Sequence, residues 1–263
     1  MDLGLQGKVA VITGGSIGIG LAVGKGFAAE GASVAIIARN ADRLEAARGE
    51  ISSLGQGRVA ALASDVATPE GATEVVRFVE REFGGADILV NNAGSGSNET
   101  IMEAEDSKWQ MYWELHVMAA VRLTRGLVPS MRRRGGGVIL NNASICATQP
   151  LWYEPIYNVT KAALVMLSKT MATEFIKDNI RVNAINPGFV LTPDWIKTAK
   201  QLTANTGGDW QGYIDALAKE NAPIGRFSSP EEIAAFFVFL CSARASYSVG
   251  STYFVDGGML KTI

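Results

Sequence analysis

The chain has 263 residues, of which 48% are hydrophobic and 19% are charged, with a formal net charge of −2 and a sequence pI near 5.6. This length suits one large α/β domain or at most two small ones, and the composition is that of a globular protein. The small net charge excludes a general electrostatic attraction to nucleic acid or to an anionic membrane surface.

Short β-rich runs alternate with longer amphipathic runs along the chain. In chain order we predict a strand at Val9–Ile12, a helix at Gly20–Glu30, a strand at Ser33–Ile37, a helix at Ala41–Leu54, a strand at Arg58–Ala63, a helix at Pro69–Phe83, a strand at Ile88–Val90, a long helix over roughly Lys108–Arg133, a strand at Gly137–Asn141, a long helix over roughly Tyr157–Lys177, a strand at Arg181–Ile185, a helix at Ser229–Cys241 and a strand at Tyr253–Val255. Apolar strands separated by helices indicate a parallel sheet with helices on both faces. Right-handed crossovers make that sheet doubly wound, as in Rossmann-like folds. The chain has no internal repeat and no long linker, so we predict a single domain over residues 1–263.

The rare residue types narrow the class of protein further. Cys146 and Cys241 lie outside any metal-ligand spacing, which fits a reducing compartment and predicts no metal site. The single histidine, His116, argues against a Ser-His-Asp hydrolase unless it is itself the base. The first apolar run, Val9–Ile12, is too short for a signal-peptide core, and no stretch approaches the roughly 20 apolar residues of a membrane span. We therefore expect a cytoplasmic protein that binds neither nucleic acid nor membranes.

The glycine-rich turn after the first strand is the first candidate for ligand binding. Its sequence, Thr13-Gly14-Gly15-Ser16-Ile17-Gly18-Ile19-Gly20, has the spacing GxxxGxG and opens the first helix. Glycine lets the backbone come close to a pyrophosphate, and the helix N-terminus offers free N–H groups and the positive end of its dipole. Alone the turn is weak evidence, since a plain strand-to-helix connection has similar residues.

The end of the second strand bears on the choice of cofactor. NAD-binding proteins usually place an acid there to bond the ribose 2′-hydroxyl. Here Ala38 and Arg39 occupy this position, and the next acid is Asp42. The guanidinium of Arg39 suits a 2′-phosphate, although an ordinary surface arginine is the alternative interpretation. We predict NADP as the cofactor, with NAD as the alternative.

Three further motifs follow in order, namely Asn91-Asn92-Ala93-Gly94, then Ser144 after the strand Val138–Leu140, then Tyr157 and Lys161 spaced YxxxK. With the glycine-rich turn, this order resembles the short-chain dehydrogenase/reductase family, in particular its 3-oxoacyl-(acyl carrier protein)-reductase-like members. The resemblance covers residues 7–258 and includes Asn186-Pro187-Gly188 and Val255-Asp256-Gly257-Gly258. It implies an enzyme that transfers a hydride between NADP(H) and a ketone or secondary alcohol.

The resemblance also implies what the motif residues do. Tyr157 exchanges a proton with the substrate oxygen, Lys161 lowers the pKa of that tyrosine from one helical turn away, and Ser144 holds the substrate oxygen. Asp65 bonds the adenine, and Thr192 reaches the nicotinamide carboxamide. The residues expected to contact the cofactor are Gly14, Ser16, Ile17, Gly18, Ile19, Gly20, Arg39, Asp65, Val66, Asn92, Ala93, Gly94, Tyr157, Lys161, Pro187, Gly188, Val190 and Thr192.

Two positions depart from the family pattern. Many members carry an asparagine roughly 28 residues before the serine, where it holds a water on the proton path from the lysine; here that position is His116. Histidine can hold a water and can titrate near neutral pH, so one hypothesis makes His116 a fourth catalytic residue in this relay. The alternative is that it packs and bonds a backbone carbonyl. Ile17 stands where many NADP-using relatives have a basic residue, which leaves Arg39 as the support for NADP.

Aromatic residues near the predicted reacting centre favour an apolar or ring-bearing substrate. The residues expected to contact it are Ser144, Trp152, Tyr153, Phe189 and Trp195. The family places a substrate lid at about residues 189–222, and it implies a homotetramer in which the two long helices pair with their copies. Two alternative functions remain, an NAD(H)-dependent alcohol dehydrogenase of the same family and a nucleotide-sensing protein without turnover. An epimerase or dehydratase fits less well, because such relatives usually carry a larger C-terminal substrate domain.

Overall fold

The computed structural model describes residues 1–96, 98–151, 153–204 and 207–261. Within these ranges one parallel sheet has the strand order β3-β2-β1-β4-β5-β6-β7. The strands are β1 Val9–Thr13, β2 Ser33–Ala38, β3 Val59–Ala63, β4 Ile88–Asn91, β5 Gly137–Asn142, β6 Ile180–Pro187 and β7 Thr252–Val255. The order reverses between β1 and β4, which is where doubly wound sheets bind ligands. The predicted fold class is confirmed.

Helices cover both faces of the sheet. They are α1 Gly18–Ala29, α2 Ala41–Ser52, α3 Pro69–Phe83, α4 Asp106–Trp113, α5 Ala119–Arg133, α6 Pro155–Phe175, α7 Pro193–Thr203, α8 Trp210–Asn221 and α9 Pro230–Cys241. One core packs α1, α2 and α9 on the first face, and a second packs α3, α5 and α6 on the other. Successive β1 residues alternate between these cores, with Ile12 in the first and Val11 in the second. Among the described residues, no helix has both the length and the apolar character of a membrane span.

The long helix predicted over Lys108–Arg133 is interrupted in the structure. A π-helical turn at Glu114–Met118 separates α4 from α5. Such a turn widens the helix by one residue and is frequent at functional sites. It carries His116, which is only 2% exposed. The interruption therefore coincides with the position that departs from the family pattern.

The glycine-rich turn packs tightly against the end of β4. Asn92 Nδ2 donates to the carbonyl oxygens of Thr13 at 2.9 Å and Gly14 at 3.3 Å, and the Asn92 backbone N–H donates to Thr13 Oγ1 at 2.9 Å. A Cβ on Gly20 would lie 2.2 Å from the Gly14 oxygen and 2.5 Å from Asn92 Nδ2. Packing alone therefore requires glycine at position 20, whether or not a ligand is bound.

We expect Gly20→Ala to lower the free energy of unfolding by about 1–3 kcal/mol, because the added methyl group overlaps backbone that cannot easily move. The matched control is Gly49→Ala in α2, where a Cβ would have no neighbour within 4 Å. That control should raise stability by up to about 1 kcal/mol through helix propensity. Urea denaturation of both variants measures the difference, and equal stabilities would contradict the packing argument.

Candidate active site

The four side chains predicted to be catalytic come together at the carboxyl edge of the sheet. Ser144 follows β5, Tyr157 and Lys161 lie one turn apart on α6, and His116 projects from the π-helical turn. Ser144 is 8% exposed and Lys161 is 3% exposed, while Tyr157 is partly buried. Parallel strands end at one edge of the sheet, so residues distant in sequence meet there.

The phenol of Tyr157 is held in its protonated form. Burial raises the pKa of Tyr157, nearby Cys146 and Glu154 raise it further, and an interaction with Ser144 acts in the opposite direction. From the sequence we expected Lys161 to lower the pKa of Tyr157. In the structure that pKa is raised, and burial is the largest cause. Lys161 Nζ lies 5.4 Å from the tyrosine ring centroid and donates at 2.7 Å to the carbonyl oxygen of Asn142. A protonated phenol is the form that can donate a proton to a substrate oxygen.

Burial also acts on Lys161, in the direction expected for a cation. It lowers the pKa of Lys161 to about 8. An amine with that pKa exists in both protonation states near neutral pH, and such groups are frequent in active sites. Lys161 can therefore hold or release a proton next to Tyr157.

His116 is enclosed between two aromatic rings. Its ring centroid lies 5.4 Å from that of Tyr112 and 5.6 Å from that of Tyr157, both edge-on. Burial, and then the charge of Lys161, hold the pKa of His116 well below 6.5. The neutral imidazole therefore predominates at neutral pH. A relay through His116 would then depend on its hydrogen bonds and not on its own titration.

Glu154, which precedes α6, is a further residue of the site that was not predicted from the sequence. Burial raises the pKa of Glu154 to about 7, and the negative charge of Glu99 contributes to the shift. A Cβ on Gly96 would lie 3.3 Å from Glu154 Oε1. The available signal was that Glu154 is the only charged residue between Ser144 and Tyr157. A carboxyl of this kind can donate or accept a hydrogen bond at neutral pH.

The glycine-rich turn fits the pyrophosphate of a dinucleotide. Gly14 and Gly18 adopt positive φ angles of 67° and 56°, which side-chain-bearing residues avoid. Ile17 is the N-cap of α1 and supplies no side-chain acceptor to the first turn, so the amides there remain available to a ligand. Ser16 is buried, whereas Ile19 is partly buried against the first core and Gly20 packs against the turn.

The adenosine side of the predicted cofactor site lies along β2 and β3. Arg39 is exposed after β2 and forms no ion pair with the residues that the structure describes. One carboxylate oxygen of Asp65 accepts the backbone N–H of Ala67 at 3.0 Å, and Val66 is buried. An exposed guanidinium without a carboxylate partner fits a 2′-phosphate.

The predicted cofactor residues after β4 differ in what they contact. Ala93 N–H donates to Thr13 Oγ1 at 3.0 Å, so Ala93, like Asn92, braces the turn. Gly94 lies beside the catalytic groups, because a Cβ there would be 3.2 Å from His116 Nε2 and 3.4 Å from Lys161 Nζ.

The residues after β6 carry the chain over this edge of the sheet. Gly188 N–H donates to the Val255 oxygen at 3.1 Å, and Val190 forms a bridge with Ser228. Thr192 caps α7 and lies close to the turn, because its Cγ2 would be 3.4 Å from a Cβ on Gly18. Pro187 is the last residue of β6 and is buried.

The predicted substrate residues divide into two groups. Phe189 stacks on Phe227 with ring centroids 4.7 Å apart, and Trp195 lies edge-on to both at 5.5 and 5.3 Å. These aromatic rings form the core of the segment that contains α7 and α8. Tyr153 is half-buried near Glu154, and burial raises its pKa to about 12. Trp152 lies outside the described residues.

Comparisons with known proteins agree with this geometry. A family model described as enoyl-(acyl carrier protein) reductase matches residues 14–260. The 3-oxoacyl-(acyl-carrier-protein) reductase of Vibrio cholerae is 33% identical, with 98% of this chain and 99% of that protein covered. D-β-hydroxybutyrate dehydrogenase of Cupriavidus necator is 34% identical, with 97% and 98% covered. The crystal structure of L-sorbose reductase from Gluconobacter frateurii, complexed with NADPH and L-sorbose, is 70% identical over 100% of both chains, with a TM-score of 0.99.

The fold, the arrangement of the site and these matches define an oxidoreductase that acts on an alcohol or a ketone. The chain belongs to the short-chain dehydrogenase/reductase family.

The buried carboxyl of Glu154 gives stability a specific pH dependence. The pKa of Glu154 rises from 4.5 to about 7 on folding, so ionising this group disfavours the folded state. Below about pH 4.5 the carboxyl of Glu154 is protonated in both the folded and the unfolded state, so it does not disfavour folding. As the pH rises from about 4.5 to about 7, the free energy of unfolding falls. We expect Glu154→Gln to exceed the wild type in stability by up to about 3 kcal/mol at pH 8 and to match it near pH 4.5.

Denaturant unfolding of the protein at both pH values checks this expectation. The control is Glu74→Gln, an exposed residue of α3 whose replacement should change stability by less than about 0.5 kcal/mol at either pH. A Glu154→Gln variant that is no more stable than the wild type at pH 8 would contradict the expectation.

Proposed function

We propose that this protein is an NADP(H)-dependent reductase of L-sorbose or a closely similar ketose, which it interconverts with the corresponding secondary alcohol. The observation that carries the proposal is the 70% identity, over the full length of both chains, to a reductase crystallised with NADPH and L-sorbose. The convergence of Ser144, Tyr157 and Lys161 supports the reaction, and the exposed Arg39 supports NADP over NAD.

The residues of the site fit the proton half of this reaction. When bound, NADPH supplies the hydride that reaches the carbonyl carbon. Ser144 orients the carbonyl oxygen, and the protonated Tyr157 donates its proton to that oxygen. The phenolate left behind is stabilised by the neighbouring Lys161, which holds a proton at neutral pH because its pKa is about 8. In the oxidation direction the same proton returns to Tyr157.

A buried carboxyl supports a substrate with several hydroxyl groups. Glu154 acts electrostatically on both Tyr157 and Cys146, so it lies near the reacting centre. Its partly protonated state at neutral pH lets it accept or donate one hydrogen bond to a hydroxyl. The apolar or ring-bearing substrate expected from the aromatic residues stays a prediction. Ser144, Tyr153, Phe189 and Trp195 remain the proposed substrate contacts among the described residues.

We also propose that residues 189–222 act as the substrate lid of a single domain. The support is their position after β6 and the separate aromatic core around Phe189. Gly207 and Gly208, with φ angles of 94° and 77°, lie between α7 and α8 where a hinge would be needed.

A homotetramer and a cytoplasmic location complete the proposal. The outer face of α6 exposes Val159 and Met166, at 49% and 67%, which supports contact with a second copy. Cys146 and Cys241 are free and buried, which supports a reducing compartment.

Arg39 tests the choice of cofactor. We expect Arg39→Ala to weaken NADPH binding by about tenfold to a hundredfold, because charge-assisted bonds to the 2′-phosphate are lost, and to leave NADH binding nearly unchanged. The control is Arg77→Ala, which removes an exposed arginine of α3. Nicotinamide fluorescence titration measures both cofactors. Tighter binding of NADH than of NADPH by the wild type would overturn the NADP proposal.

Tyr157 tests the reaction itself. With NADPH and L-sorbose, the wild type should oxidise NADPH, and Tyr157→Phe should lower kcat by at least about a hundredfold while retaining NADPH binding. Tyr247→Phe, which changes a fully exposed tyrosine, should keep wild-type turnover. Tight NADPH binding without turnover on L-sorbose or other ketones would contradict the proposal and favour a nucleotide-sensing protein.

A further inference from the structure

The hydrogen bonds around His116 show which ring nitrogen carries the proton. The backbone N–H of Ser95 points at His116 Nε2 with a separation of 3.3 Å. A backbone amide can only donate, so Nε2 must be the unprotonated acceptor. Because the imidazole is neutral at neutral pH, its single proton resides on Nδ1.

Nδ1 in turn faces one side chain, the hydroxyl of Thr160. The separation between His116 Nδ1 and Thr160 Oγ1 is 2.8 Å, and Thr160 is fully buried in α6. The hydroxyl has one hydrogen, which it donates to the helix backbone, where the carbonyl oxygen of Ile156 lies at 2.9 Å and that of Tyr157 at 3.2 Å. Its oxygen is therefore free to accept from Nδ1–H. The result is a chain of bonds that runs from the Ser95 amide through the imidazole and Thr160 to the helix backbone.

We propose that Thr160 is a positioning residue that holds His116 in the Nδ1–H tautomer and so keeps Nε2 as a hydrogen-bond acceptor beside Lys161. Nε2 and Lys161 Nζ face one space, since they would lie 3.2 and 3.4 Å from a Cβ on Gly94. In the opposite tautomer, the N–H groups of His116 and Ser95 would point at each other, and the protonated nitrogen would face the Lys161 cation. The inference rests on the proposed function only where it concerns turnover.

The groups packed against His116 also favour the Nδ1–H tautomer over a doubly protonated ring. They are the Tyr112 ring from α4, the Tyr157 ring and Lys161 from α6, and the Ser95 backbone. None of them is an acid that would stabilise a doubly protonated ring. The tautomer is therefore chosen by hydrogen-bond direction, and Thr160 supplies the acceptor that the Nδ1–H form requires.

The test uses the fact that His116 is the only histidine of the chain. In untagged protein labelled with ¹⁵N-histidine, long-range ¹H–¹⁵N correlation spectra at pH 7.5 report one imidazole and distinguish its two tautomers. We expect the wild type and Thr160→Ser to show the Nδ1–H form. Thr160→Val, which keeps the shape and removes the acceptor, should shift the population toward the Nε2–H form. The matched control is Thr170→Val, which removes the hydroxyl bond from Thr170 to the Met166 carbonyl in the same helix and should leave the tautomer unchanged.

Turnover provides a second readout that a structural defect alone would not reproduce. Thr160→Val should lower kcat by roughly tenfold to a hundredfold with the NADPH Kd within about twofold of wild type, and Thr160→Ser should restore kcat. An Nε2–H wild type, or an Nδ1–H tautomer retained in Thr160→Val, would overturn the proposal. If Thr160→Val does not fold, the spectra of the wild type and Thr160→Ser still decide it, because both must show the Nδ1–H form. Absence of ketose reduction in the wild type would contradict the proposed function and leave the tautomer result standing.

Discussion

One chain of hydrogen bonds joins the two halves of the site, and Asn92 is at its centre. The Asn92 amide nitrogen holds the glycine-rich turn after β1, and its oxygen accepts from Asn142 Nδ2 at 2.8 Å after β5. The carbonyl of Asn142 then accepts from Lys161 Nζ. Because every bond in this chain is buried or partly buried, its geometry is held by the strands themselves. The distance and orientation between the glycine-rich turn and Lys161 are therefore fixed by three neighbouring strands, β1, β4 and β5.

This arrangement changes how the glycines of the turn are understood. From the sequence, Gly14 and Gly20 indicate close approach of the backbone to a ligand. In the structure the space beside both is filled by the protein, since a Cβ on Gly14 would lie 2.9 Å from Asn92 Nδ2. Gly18 differs, because the nearest atoms to a Cβ there belong to Thr192 and Pro193 and lie at ordinary contact distances of 3.4–3.7 Å. Within the spacing GxxxGxG, Gly14 and Gly20 thus allow the turn to pack closely against Asn92, whereas Gly18 leaves space above the turn.

The order of strands and helices could be predicted because it depends on local patterns. The bounds of α3 agree at both ends, where Thr68 caps the start and Gly84 adopts a left-handed conformation at the end. The π-helical turn at Glu114–Met118 could not be predicted, since no glycine or proline marks it and the burial of His116 within it is identified only in the folded structure. The motif residues Ser144, Tyr157 and Lys161 were found by spacing, whereas Glu154 was missed because its importance comes from burial. The predicted direction of the Tyr157 pKa shift was wrong for the same reason, because burial is the largest cause of the shift and raises the pKa.

Burial acts in the same sense on every titratable group around the reacting centre. It raises the pKa of Tyr157 and Glu154, which favours their protonated forms, and lowers the pKa of Lys161 and His116, which favours their neutral forms. Near neutral pH the phenol and the imidazole are therefore uncharged, while Lys161 still holds its proton and Glu154 is partly ionised. Such a site is prepared for reduction, because the phenol already has the proton that the substrate oxygen requires. Oxidation needs that proton to leave Tyr157 first, so a rise in pH shifts the phenol toward the reverse reaction, whereas the proton on Lys161 that stabilises the phenolate is itself lost above about pH 8.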